Sequence, residues 1–263
     1  MGTKTENTEL FTDKSESYAK YRSGYPEEMI EKIIESFRGQ NEIQVADIGA
    51  GTGISSRLLG NTGAKVTAVE PNQAMAEAAE EHPNVKYVIA PAETTGLENN
   101  SFDIVSSFQA FHWFHFRESL KEFNRILKPG GKLALVWSYW DETDEFTGKY
   151  LKIIEEATNK NTEHVSPYDG FPAGFIKKWR IRFLWKFRTM PYFRNVERLR
   201  YSYVQKMDAE ALIGCAHSQS YLIHEGEEWN MLCNKIEDLY DSNRSSGTDL
   251  KYKVNLFIGS PRK

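Results

Sequence analysis

The strongest constraint on the fold is an alternation that runs from residue 43 to residue 138. Short apolar, β-rich runs fall at Ile43–Ile48, Lys65–Val69, Val85–Ile89, Phe102–Ser107 and Lys132–Ser138. Helix-like stretches separate them. Gln73–Glu81 is rich in Ala and Glu, and Arg117–Leu127 sets Leu120, Phe123, Asn124 and Leu127 on one face. Strand–helix alternation predicts a parallel sheet with helices on both faces. Ligands of such sheets bind at the carboxyl ends of the strands, where the strand order reverses.

The first strand ends in VADIGAGTG, with Gly49, Gly51 and Gly53 alternating. Glycine between a strand and a helix lets a ligand approach the backbone, and the next helix turns its first N–H groups toward it. The spacing narrows the ligand. Dinucleotide sites use G-x-G-x-x-G, and the third glycine of that pattern would here be Ile54. No G-K-[ST] follows, so a phosphate-binding loop of that type is also excluded. A nucleoside without pyrophosphate is the expected ligand. The second strand ends VTAVEPN, with Glu70 seventeen positions after Gly53. A carboxylate there can accept hydrogen bonds from both hydroxyls of a ribose, whereas taken alone it would read as a solvated acid.

VADIGAGTG, VTAVEPN, the acid Asp103 in SFDIVSS, and ILKPGGKL at 126–133 together resemble a class I S-adenosylmethionine-dependent methyltransferase over roughly residues 40–138. The resemblance implies a Rossmann-like, seven-stranded, mostly parallel sheet and S-adenosyl-L-methionine as cofactor, leaving S-adenosyl-L-homocysteine. It implies that Gly49, Ala50 and Gly51 line the cofactor, with Asp47 beneath its methionine part. Pro71 and Asn72 would lie beside the adenosine. Relatives often carry G-D-A-E where this chain has IAPAET. Pro91 removes one side-chain contact to adenine, leaving the Ala92 N–H and Glu93 as candidates. The main-chain carbonyl near Gln109 would hold the cofactor's amino group. Pro129, Gly130 and Gly131 would make the turn from helix to strand.

QAFHWFHF, at 109–116, follows the fourth strand. It is similar to a small-molecule subset, type 11, that includes trans-aconitate methyltransferase-like proteins. His112 is the candidate catalytic residue, as a general base on a hydroxyl or carboxyl acceptor. The alternatives are a substrate contact, with Trp113, or a ring that only orders the loop. A carboxylate acceptor needs no base at neutral pH. His115 reads as a surface residue. SYAKYRSGYP, at 17–26, resembles the subset's Y-x-x-Y-R-P-x-Y-P, with Ser23 at the first proline. This implies a segment over the cofactor, with Tyr18 and Arg22 on cofactor and Tyr21 on substrate. An amphipathic entry helix is the other reading.

The domain reading is a lid segment and cofactor-binding core over 1–140, a helical insertion over 141–190 covering the active edge, and 191–263 returning to the sheet with further helices. Asp208–Cys215 and Glu227–Asp241 read as helices and Tyr252–Ile258 as a strand. In 175–200, Phe175, Trp179, Phe183 and Phe187 recur every four residues amid Lys and Arg. The stretch reads as a lid helix with a solvated basic face, a pocket for an anionic substrate, or a nucleic-acid or membrane surface.

Composition trims these options. The chain has 263 residues and a net charge of −4, which argues against a nucleic-acid partner. No apolar run is long enough for a membrane span, and MGTKTENTEL lacks a signal core. Cys215 and Cys233 are the only cysteines, and no His or Cys spacing suits a metal. A cytoplasmic enzyme with a small-molecule acceptor is the expectation. The competing classes are a cofactor-binding module without transfer activity and an RNA or protein methyltransferase. Nothing in the sequence specifies an oligomeric state.

Overall fold

The structure, a computed structural model, describes residues 24–159, 191–219, 222 and 225–263. Tyr18, Tyr21, Arg22 and the aromatic run Phe175–Phe187 lie outside these residues. So does most of the expected insertion, of which 141–159 is described.

The elements follow in the order α1 (Glu27–Ile34), β1 (Gln44–Ile48), α2 (Ile54–Asn61), β2 (Lys65–Val69), α3 (Gln73–Glu77) and β3 (Val85–Val88). Next come β4 (Phe102–Phe108), α4 (Phe116–Ile126), β5 (Leu127–Trp140) and α5 (Glu145–Asn159). Last are β6 (Phe193–Gln205), α6 (Ala209–His217), α7 (Gly226–Asn243) and β7 (Leu250–Pro261). The strands form one seven-stranded sheet in the order β3-β2-β1-β4-β5-β7-β6. β1 pairs in parallel with β2 and β4, β2 with β3, and β4 with β5. β7 runs the other way. Arg198 meets Asn255 while Arg262 meets Tyr192, so β6 and β7 are antiparallel. The strand order reverses between β1 and β4. Right-handed crossovers therefore put α2 and α3 on one face and α4 on the other.

The chain divides into two compact units. One holds 24–138, 191–201 and 254–263 of the described residues and carries most of the sheet. Its core includes Met29, Ile33, Ile48, Leu59, Ile104, Leu120 and Phe123, all fully buried. α4 shows why such helices form. Leu120, Phe123 and Ile126 recur at helical spacing and are buried, while Glu118 in the first turn and Arg125 in the last suit the helix dipole. The other unit holds 139–159, 202–219, 222 and 225–253 of the described residues. There α7 packs on α5 and α6, and the fully buried Tyr150 donates its hydroxyl to the Leu212 carbonyl, 2.8 Å away.

Two expectations change. The turn expected at Pro129–Gly131 lies inside β5. Phe102 pairs with Leu127 and Ile104 with Lys132, so the chain bulges between these pairs instead of leaving the sheet. Gly131 is required there, because a Cβ would sit 2.9 Å from the Asp103 carbonyl. Next, α3 ends at Glu77 rather than Glu81, and Ala78 caps it ahead of Pro83. Residues 193–200 of the basic aromatic stretch, in the part read as returning to the sheet, belong to β6. Their charges sit on the outermost strand, where they discourage pairing with another chain.

Candidate active site

The loops after β1, β2, β3 and β4 meet at the carboxyl edge of the sheet, beside the reversal of strand order. Each is tied to another by a specific contact. Gly51 donates its N–H to Glu70 Oε2 at 2.9 Å, joining the β1 and β2 loops. The Tyr87 hydroxyl on β3 donates to the Gly51 carbonyl at 3.1 Å. Glu93 Oε1 accepts the His115 N–H at 2.8 Å, joining the β3 and β4 loops.

The three glycines divide by role. All have positive φ, at 71°, 57° and 79° for Gly49, Gly51 and Gly53. A Cβ on Gly49 would lie 2.5 Å from Ala110 Cβ and 2.8 Å from Phe114 Cζ. One on Gly53 would lie 2.5 Å from the Tyr87 hydroxyl. These two glycines admit neighbouring parts of the protein. At Gly51 the nearest atom would be Met75 Cε, at 3.3 Å. Gly51 is the position where the fold itself leaves the backbone least crowded.

Glu70 sits beside that gap. It is 8% exposed, and its other oxygen accepts the Asn72 N–H at 3.0 Å. Burial raises its pKa, and the two N–H groups act against the rise. Each oxygen keeps a second lone pair for a further donor. Nearby, Thr52 is buried and its Oγ1 has no partner among the described residues. Such an orphan is the kind of atom that a ligand or water satisfies. An open stretch of backbone, a buried carboxylate with spare acceptor sites and an unpaired hydroxyl fit the ribose side of an adenosine ligand.

Asp47 works from below. It has no exposed surface, so direct contact with a cofactor is closed to it. Its Oδ2 accepts the Ser55 and Ser56 hydroxyls at 2.6 and 2.7 Å, and its Oδ1 accepts that of Ser106 at 2.7 Å. Burial raises its pKa against these three bonds. Asp47 thereby pins the first turn of α2 to β1 and β4 and fixes the glycine loop between them. Asn72, expected beside the adenosine, uses its side chain to cap α3 through the Ala74 and Met75 N–H groups. Pro71 is exposed, and Ala50 and Ala92 are buried.

Gln109 follows β4 with φ at 55°, a conformation that non-glycine residues adopt rarely and that concentrates at functional sites. Its side chain clamps the Ser138 peptide, accepting from the N–H at 3.1 Å and donating to the carbonyl at 2.7 Å. Only its main chain therefore faces the task expected of it. The 3-10 turn Phe111–Trp113 follows. Phe111 anchors it, with edge-on contacts to Phe114, Phe116 and Trp137. His112 Nδ1 accepts the Trp137 indole N–H at 3.3 Å, and its ring lies 5.3 Å from that of Trp113. Burial lowers the His112 pKa to about 4. His115 is at the surface.

Ser55, Ser56, Ser106, Tyr87 and Trp137 are the residues that reading the sequence missed. The Ser55–Ser56 pair at a helix start was a visible signal, since hydroxyls gather there. The bond from Trp137 to His112 had none, because it depends on the pairing of β4 with β5. Asp103, part of the sequence motif, lies at the opposite end of the strands and accepts from the Gln44 N–H and Lys128 Nζ. Among the described residues no cluster of His, Cys, Asp or Glu could hold a metal ion, and no helix is long and apolar enough to cross a membrane.

Residues 46–135 match the family described as Methyltransferase domain. The chain is 30% identical over 207 residues to an uncharacterized methyltransferase of Schizosaccharomyces pombe, covering 73% of this chain and 82% of that protein. Among solved structures, a type II methyltransferase candidate from Anaeromyxobacter dehalogenans aligns with a TM-score of 0.59 at 20% identity, over 92% of this chain and 98% of that one. Phosphoethanolamine N-methyltransferase 2 of Haemonchus contortus, solved with S-adenosyl-L-methionine, aligns with a TM-score of 0.50 at 17% identity, over 99% of this chain and 59% of that one. The chain belongs to the class I S-adenosylmethionine-dependent methyltransferases.

Proposed function

We propose that this methyltransferase acts on a small-molecule acceptor bearing a carboxylate or a hydroxyl group. The observation that carries the cofactor half of the reading is the Glu70 carboxylate held between the Gly51 and Asn72 N–H groups, next to the glycine of the loop that protein atoms crowd least. Glu70 would bind the ribose hydroxyls. The backbone of Gly49–Gly51, fixed from beneath by Asp47, would carry the methionine part, with the Gln109 carbonyl at its amino group. Ala92 and Glu93 would border the adenine. Bound there, the cofactor supplies a methyl group already activated on a sulfonium. The protein's task is alignment and exclusion of water, and orientation of two reactants can contribute on the order of 7–11 kcal/mol.

The acceptor half is supported by the QAFHWF turn at the sheet's carboxyl edge and by the net charge of −4, which disfavours a polyanionic partner. His112 and Trp113 would meet the acceptor, with Tyr18, Tyr21 and Arg22 as further candidates. Two cysteines in 263 residues suit a reducing compartment such as the cytoplasm.

The test is incubation with methyl-labelled cofactor and a panel of carboxylic acids, phenols, alcohols and amines, with total RNA and protein in parallel. Label in methyl esters or ethers of small molecules is expected. Label confined to RNA or protein, or none transferred, would refute the acceptor reading.

A further inference from the structure

Most N–H groups of the glycine loop are spent inside the protein. Gly49 and Ala50 both donate to the Val69 carbonyl, at 2.8 and 3.2 Å. Gly51 donates to Glu70 Oε2 at 2.9 Å, and Gly53 turns back to the Ala50 carbonyl at 3.0 Å. The Thr52 N–H alone in this loop has no acceptor among the described residues. The Thr52 carbonyl is occupied, accepting from Arg57 Nη1 at 2.8 Å. Its Oγ1 has no partner among them either, although the residue is only 1% exposed. A buried donor left unpaired costs stability, and Thr52 carries two. The direction of the N–H is set by its neighbour. The Tyr87 hydroxyl on β3 holds the Gly51 carbonyl. The Thr52 N–H lies in the same planar peptide and points the opposite way, away from β3. In the strand order that is toward β4.

The start of α2 lies beside these donors. Its cap is Gly53, which has no side chain to close the helix, and no acid stands in its first turn. Asp47 lies beneath and takes the hydroxyls of Ser55 and Ser56 rather than main-chain N–H groups. The positive end of the helix is thus open to an anion. We propose that Thr52 grips the carboxylate of the cofactor's methionine part, with its N–H and its hydroxyl as the two donors. The inference rests on the cofactor seat proposed above and adds the residue that recognises the cofactor's charged tail. That carboxylate is the cofactor's only anion. It shares a carbon with the amino group assigned above to the Gln109 carbonyl, next to β4. A ribose oxygen could satisfy the Thr52 hydroxyl, but ribose hydroxyls bring protons, and Glu70 is the group that accepts those. A carboxylate brings none and takes both Thr52 donors at once. The glycines give the loop its shape, and Thr52 gives it a charge-assisted contact.

Calorimetric titration of the full chain with two ligands tests the assignment without relying on turnover. One ligand is S-adenosyl-L-homocysteine. The other is its decarboxylated analogue, in which hydrogen replaces the carboxyl group. Wild type should bind the analogue at least about tenfold more weakly. Thr52→Val keeps the branched shape and loses only the hydroxyl. It should weaken S-adenosyl-L-homocysteine at least about tenfold and leave the analogue within about twofold, and Thr52→Ser should restore most of the loss. Ligand-free stability gives a second readout. Exchanging an unpaired buried hydroxyl for a methyl group should leave the urea midpoint unchanged or raised. A lowered midpoint would mean that the hydroxyl merely holds the loop, and would overturn the proposal. So would an analogue that binds wild type as tightly as S-adenosyl-L-homocysteine, a result that involves no variant. Equal weakening of both ligands by Thr52→Val would move Thr52 to the ribose, and no weakening of either would leave the hydroxyl to a water; each outcome overturns the assignment. The seat itself fails separately. Glu70→Ala should weaken both ligands alike, since both carry the ribose, and unchanged affinity for both would reject the seat whatever Thr52 does.

Discussion

At the residue scale, the loop Gly49–Gly53 shows that identical residues in one motif answer to different physical demands. Gly49 is required by packing against Ala110 and Phe114, whereas a side chain at Gly51 would meet only Met75 Cε, at 3.3 Å, and in the reading proposed above Gly51 serves access to the backbone. Gly49→Ala should therefore lower stability by about 2–4 kcal/mol, from overpacking added to a left-handed backbone. Gly51→Ala should lower it by only about 1–2 kcal/mol, chiefly the left-handed penalty, since the only close atom is the flexible Met75 Cε at 3.3 Å, yet weaken cofactor binding at least about tenfold. Chemical denaturation and calorimetric titration of both variants check the contrast. The sequence showed where the glycines lie and that Glu70 faces them from the next strand. It could not divide the glycines by role, because Ala110 and Phe114 approach from sixty residues downstream. A separation of 25 residues likewise hid Trp137 from His112.

At the element scale, the site depends on α2 being held to β1 and β4 through one buried carboxylate. Asp47→Ala would leave the hydroxyls of Ser55, Ser56 and Ser106 without their acceptor. A loss of about 2–4 kcal/mol is expected, with cofactor affinity falling because the loop loosens; urea denaturation measures the first and calorimetry the second. In the other unit, Tyr150→Phe should lower stability by about 1 kcal/mol, since only the bond to the Leu212 carbonyl is lost. Strands were the most legible elements. β2 lies where its apolar run begins and ends, and β1, β3 and β4 differ by a residue. β6 was not read as a strand, because its burial follows an outer position with charged residues between half-buried ones. The Pro129–Gly131 bulge looked like a turn because Pro and Gly mark both, and only pairing with β4 tells them apart.

At the scale of the whole molecule, stability and chemistry share the same buried titratable groups. The folded chain refuses a proton at His112 until about pH 4, while the unfolded chain takes one near 6.5. Stability should thus fall as the pH drops from about 6.5 to 4, by up to about 3 kcal/mol from this ring. Asp47 and Glu70 act in the opposite sense. Burial favours their protonated forms, so their contribution is full in acid and is lost as the pH rises through their raised values. The difference between the denaturation curves of wild type and His112→Gln isolates the histidine term, and the gap should close in acid. The division into two units was only partly legible. The sequence marked a change of character after Trp140, but the second unit also draws on 202–253, which no local pattern assigns to it.

The central claim is that Glu70 and the Gly51 backbone together recognise the cofactor's adenosine. Calorimetric titration of S-adenosyl-L-homocysteine into wild type and Glu70→Ala tests it most directly. One site in wild type, with affinity at least about tenfold weaker in the variant at unchanged folding, is the predicted result. Equal affinity in the two proteins would contradict it.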